Sequence, residues 1–234
     1  MTSPAAYLTI HGSNGYGLNG PKSDMDHRGY HFETPEQFFG LNPGPATIES
    51  NKDGLDYVTW EFRKFIRLAS TCNPNVIETL FTDQRDVLVG DNVAFKLRAH
   101  AQDWFLSKKA EKTFGGYAYQ QFQKLAKNFD KWDDSGVRKD AMHCVRLIYF
   151  VQDILTTGNL VVKIDQHRQV DRYNFMMGIR RGQVKAVPTF LWAKEQFDLI
   201  KEMAVKSIMP EDAKHEEIDQ FVRDVLQERY AHTS

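Results

Sequence analysis

The texture of the chain changes near Val93, and that change limits the folds open to it. Before it, apolar residues come in short β-prone runs broken by Gly, Pro, Asn and Asp; after it they recur at helical spacing. Strands gathered at one end and helices at the other do not make alternating β-α-β units. The expected class is therefore α+β: a small mixed sheet with helices on one face, followed by an all-helical domain. The boundary falls between residues 1–92 and 93–234.

Ala5 to Ile10 predicts a strand, and the glycine-rich stretch from Gly12 to Gly20 a turn into a short helix. Ser23 to Phe32 reads as a second strand followed by a turn at Gly29, and Leu41 to Gly54, with Pro43 and Pro45, as a loop. Leu55 to Trp60 is rich in Tyr, Val and Thr and predicts a strand running straight into a helix that carries Phe62, Phe65, Ile66 and Ala69. Asn73-Pro74-Asn75 stops that helix, and Val76 to Phe81 is a short apolar helix or strand. Further on, Gly116 to Asn128 is helical. The cleanest helix begins at Lys139, where Ala141, Val145, Ile148, Val151 and Leu155 make one apolar stripe that ends at Gly158. Two more helices span Pro188 to Ser207 and His215 to Tyr230.

A chain of 234 residues, 41% of them hydrophobic, can bury a proper core. Its 30 basic residues are balanced by 31 acidic ones, which excludes a generally basic coat for nucleic acid and leaves room for a local groove only. Cys72 and Cys144 stand apart, with no CxxC or Cys/His cluster, which argues against structural zinc and a disulfide framework. A reducing, cytoplasmic setting is expected. No apolar run approaches the roughly 18 residues that cross a bilayer. Met-Thr-Ser-Pro at the start lacks the basic and apolar regions of a signal peptide, so no membrane partner is expected.

The chemistry gathers in Gly12-Ser13-Asn14-Gly15, then Asp24-Met25-Asp26 and Arg28-Gly29. Residues two apart on a strand share a face, so Asp24 and Asp26 can aim two carboxylates at one divalent ion. A Gly-Ser turn opening a helix offers free backbone N–H groups and a positive dipole end, where the phosphates of a nucleotide settle close to the backbone at Gly12 and Ser13. Magnesium bridging those phosphates needs oxygen ligands at about 2.0–2.1 Å, which carboxylates supply. Arg28 shares the face of Asp26 if the strand persists, to contact phosphate or to orient a carboxylate.

Gly-Ser followed at this distance by Asp-x-Asp resembles the signature of the polymerase-β-like nucleotidyltransferase superfamily. Phe62-Arg63-Lys64-Phe65, Asn73-Pro74-Asn75-Val76, Phe114-Gly115-Gly116-Tyr117-Ala118, Lys139-Asp140-Ala141-Met142-His143, Ile179-Arg180-Arg181-Gly182 and Met209-Pro210-Glu211 resemble a narrower group. That group is the predicted nucleotidyltransferases of RNA-repair operons and bacteriophages, and the similarity runs over nearly the whole chain. The resemblance implies a catalytic domain over 1–92 and a helical nucleotide- or substrate-binding domain over 93–234. It implies an NTP as donor and two Mg2+ or Mn2+ ions held by Asp24, Asp26 and a third carboxylate on a neighbouring strand. Asp56, which opens the run Leu55 to Trp60, is the choice for that third acid over Asp53 in the loop and Glu61 at the turn into the helix. The acceptor stays open among an RNA 3′ end, a protein side-chain hydroxyl and a small molecule. A module that binds nucleotide without turnover is the non-enzymatic alternative.

Plainer roles compete at each position. Asp and Gly favour turns whatever their chemistry. On the helix from Lys139, the face opposite the apolar stripe carries Lys139, His143, Arg146 and Phe150. It is either a solvated face or a grip for triphosphate, with Arg146 able to make paired hydrogen bonds. His143 is otherwise a core histidine. Tyr117 and Gln121, one helical turn apart, either contact a base or belong to the core.

Overall fold

The computed structural model describes residues 4–21 and 23–231; Met1 to Ser3, read above for a signal peptide, lie outside them. The fold is α+β. Five strands, β1 (Ala5–His11), β2 (Met25–His31), β3 (Thr47–Lys52), β4 (Leu55–Glu61) and β5 (Val87–Gly90), form one mixed sheet in the order β3-β4-β2-β1-β5. Among the described residues only the β2–β4 pair is parallel. Between and after the strands come α1 (Gly12–Gly15), α2 (Pro35–Phe39), α3 (Phe62–Ser70), α4 (Pro74–Leu80) and α5 (Asn92–Phe105). The remaining helices are α6 (Lys109–Lys127), α7 (Ser135–Thr157), α8 (Val170–Arg180), α9 (Ala186–Lys206) and α10 (His215–Tyr230). No helix among the described residues is long and apolar enough to cross a membrane.

The structure departs from the sequence expectation in the sheet. The stretch expected as a loop up to Gly54 contains β3, joined to β4 through Asp53 and Gly54, both at positive φ. That is a two-residue hairpin turn whose twist suits the strands it links. Gly29 is not a turn but an interior residue of β2. A Cβ there would come within 1.8 Å of the Tyr7 carbonyl, so glycine marks close approach of the β1 backbone. The short edge strand β5 and helices α2 and α8 are additional elements. Thr34 and Gln37 form a capping box at the start of α2, which stabilises so short a helix.

By internal contacts the chain makes two compact units. The first runs to Phe105 and resumes at Asp212, so it holds the sheet, α1 to α5 and α10. Its core is aromatic: Tyr30 meets Tyr7, Phe62 and Phe65 at centroid distances of 5.7, 5.3 and 5.3 Å. Rings at such spacing add about 0.5–1.5 kcal/mol per pair beyond their burial. Helix α5 is tied in by Arg98, which donates to the Tyr7 hydroxyl and to the carbonyls of Leu80 and Thr82. Helix α10 is tied in by the Tyr230 hydroxyl, which donates to the Glu33 carbonyl at 2.8 Å. Both helices lie beyond residue 92 in the chain.

The second unit runs from Leu106 to Glu211 and centres on α7, which packs against α6, α8 and α9. The stripe Ala141, Val145, Ile148, Val151 and Leu155 is buried, and Gly158 caps the helix in the left-handed conformation. With neighbours on three sides, α7 buries most of its other face as well, Phe150 and Arg146 included. The helix is not amphipathic in the way its apolar stripe suggested.

Candidate active site

Two adjacent strands place the carboxylates. In the parallel β2–β4 pair Asp26 stands opposite Asp56, so both acids sit at the same level of the sheet. Asp24 precedes β2 by one residue and is exposed. It is not on the strand, and what holds it is α1: the Asn14 amide donates to the Asp24 carbonyl at 2.8 Å. The sequence sets Asn14 inside the Gly-Ser turn without giving its side chain a role; the structure supplies one.

The turn itself lies against the acids. Gly12 has φ +61, and a Cβ built on it would fall 1.8 Å from Asp26 Oδ2. No other residue type brings the backbone this close to that carboxylate without strain. Helix α1 has four residues, too few for a developed macrodipole, and its N-cap His11 makes no side-chain capping bond. What the turn offers at Gly12 and Ser13 is therefore the opening N–H groups that no helix satisfies internally.

Arg28 is bound to a carboxylate. Its Nη2 donates to Asp56 Oδ2 at 2.6 Å, and its Nη1 to the carbonyls of Asp56 and His27, both at 2.9 Å. Nη2 also lies 3.8 Å from Asp26 Oδ1, so one guanidinium serves both acids. Burial and the Arg28 charge hold the His27 imidazole below its ordinary value, which keeps it neutral beside them. Glu61, the rival third acid, is taken up differently. It caps α3 by accepting from the Lys64 N–H, and it accepts from Arg63 Nε.

The remaining candidates lie in the second unit. Tyr117 is 40% exposed on α6, and Gln121, one turn on, is partly buried with no hydrogen-bond partner for Oε1. On α7, Lys139 is exposed, whereas Arg146 is 1% exposed, its guanidinium over the Phe150 ring at 4.9 Å. Arg146 Nη2 donates to His143 Nδ1 at 3.0 Å. Burial first, then the charges of Arg146, Lys139 and Lys124, push the His143 imidazole down to about 3. His143 is thus a neutral acceptor inside a cluster of cations. Lys124 is itself paired with Asp140 at 2.6 Å.

Among the described residues no group of three or more His, Cys, Asp or Glu gathers tightly enough to hold a metal ion by itself. Asp26 and Asp56 do converge on one cation, the Arg28 guanidinium, and offer only oxygen. Such a set fits magnesium, which is commonly held by one or two carboxylates together with substrate phosphates and water. Residues 3–232 match the model of a family described as RlaP, RNA repair pathway DNA polymerase beta family. None of the curated proteins matches the chain.

Proposed function

Because the chain belongs to the RNA repair pathway DNA polymerase beta family, we propose that it moves a nucleoside monophosphate from an NTP to the 3′ hydroxyl of an RNA. The observation that carries this reading is the meeting of Gly12 with Asp26, and of Asp26 with Asp56, at one end of the sheet. A phosphate-accepting turn and oxygen ligands for a divalent ion are thereby side by side.

Each residue then has a part. The turn at Gly12 and Ser13 binds the phosphates through backbone N–H groups. Asp24, Asp26 and Asp56 supply oxygens for Mg2+ or Mn2+, two ions being the number the superfamily resemblance implies. Arg28 holds Asp56 through Oδ2 and leaves its other oxygen to take the acceptor's proton. The acceptor oxygen bonds to the α-phosphorus as the bond to pyrophosphate breaks, in line with it. Bound divalent metal lowers the pKa of the acceptor hydroxyl and neutralises charge on the leaving pyrophosphate. Within the second unit Arg146 acts by fixing the neutral His143.

Incubation with each labelled NTP and magnesium, against RNA, DNA and whole lysate, tests the acceptor. Label on RNA is the expected result. Label on a protein or a small molecule instead would keep nucleotidyl transfer and overturn the acceptor.

A further inference from the structure

The turn that cradles the acids is itself held from below by a buried network absent from the chemistry above. His11 is the residue before α1 and Tyr16 the residue after it. Both side chains reach Glu78 on α4. The Tyr16 hydroxyl donates to Glu78 Oε2 at 2.5 Å and lies 3.1 Å from His11 Nδ1, and His11 Nε2 is 3.6 Å from the same carboxylate oxygen. All three residues are buried, Glu78 at 1% exposure. The Tyr16 hydroxyl donates its one proton to the hydrogen bond with Glu78 and so meets the His11 ring as an acceptor.

A carboxylate in this position costs several kcal/mol of desolvation unless charge-assisted hydrogen bonds offset it. An apolar residue would fill the site without that cost. Glu78 grips the two residues that bracket the turn. Between its two grips lie Gly12, against the Asp26 carboxylate, and Asn14, bonded to the Asp24 carbonyl.

We propose that Glu78 is a positioning residue: through Tyr16 and His11 it fixes the Gly12–Gly15 turn at the place where phosphate-binding backbone and metal-binding carboxylates meet. The proposal rests on the nucleotidyl-transfer reading for its purpose, and its geometry can be tested apart from it.

The experiment uses the full chain with Glu78→Gln, Tyr16→Phe and both together. Hydrogen exchange of the backbone should quicken at Gly12 to Tyr16 in each single variant, with exchange in β4 and β5 unchanged. The double variant should add little, because residues acting as one unit are not additive. The NTP concentration for half-maximal pyrophosphate release should rise about tenfold, with kcat less affected. Unchanged exchange in the turn, or a uniform quickening across the first unit, overturns the proposal. No pyrophosphate release by the parent protein with any NTP overturns the transfer reading instead, while the exchange data still decide the role of Glu78.

Discussion

Arg28 holds Asp56 by two contacts at once, Nη2 to the carboxylate at 2.6 Å and Nη1 to the backbone carbonyl at 2.9 Å. The guanidinium spans the β2–β4 pair at the level of the acids and fixes the side chain proposed to take the acceptor's proton. Lysine keeps the charge and loses the planar fork. Arg28→Lys should therefore lower kcat at least about tenfold, with a loss of folding stability of roughly 1–3 kcal/mol. Steady-state kinetics beside thermal unfolding checks both. An unaltered kcat would mean that Arg28 only ties the strands together.

Asp56 is the second residue of β4 and Glu61 its last, and they are engaged differently. Asp56→Asn should cut turnover at least about 100-fold, or ~2.7 kcal/mol of barrier. Glu61→Gln weakens the cap of α3 and should cost about 0.5–2 kcal/mol of stability with turnover nearly kept. Kinetics showing the reverse pattern would assign the third acid to Glu61.

Gly12→Ala places a methyl group where Asp26 Oδ2 now lies and forces alanine to φ +61. The substitution should cost at least about 1 kcal/mol in the turn, and it should displace the carboxylate. Loss of pyrophosphate release with the second unit's unfolding unchanged is the expected result. Wild-type turnover in Gly12→Ala would remove the turn from the site.

Much of this was legible in the residues. Gly12 lies against Asp26, although Asp24 falls outside β2 and so does not share a strand face with it, and Gly158 and the stripe on α7 sit where helical periodicity puts them. Other features depend on tertiary neighbours. β3 hid because Pro43, Pro45 and Asn51 suggest a loop, although Asp53-Gly54 is itself a hairpin signal. Arg28's partner lies on a strand distant in the chain and paired only through the sheet, and Glu78 reaches Tyr16 from a helix with no local mark of its role. The stripe Lys139, His143, Arg146 and Phe150 looked open because periodicity reports one apolar face and says nothing of how many helices cover the other.

Arg146 changes what its substitution should do. On an exposed face Arg146→Ala would barely alter melting, but the side chain is buried over Phe150 and bonded to His143. Removing it should destabilise the second unit by roughly 2–4 kcal/mol. A parallel effect follows for pH. His143 has a folded pKa of about 3 against an ordinary 6.5, so below 6.5 the unfolded chain binds a proton that the folded one refuses. Stability should then fall as pH drops from 6.5 toward 3, and His143→Gln should flatten that slope. Equal slopes in unfolding titrations of parent and variant would contradict the account.

The turn, Asp24 and Asp26 are proposed to form one phosphate- and metal-handling site. Pyrophosphate release from NTP with magnesium and RNA, measured for the parent and for Asp24→Ala with Asp26→Ala together, tests it most directly. The expected result is release by the parent and none by the double variant, with the fold kept and stability lowered by no more than the lost Asp26–Arg28 contact, about 0–1 kcal/mol. Equal release by both proteins would contradict it.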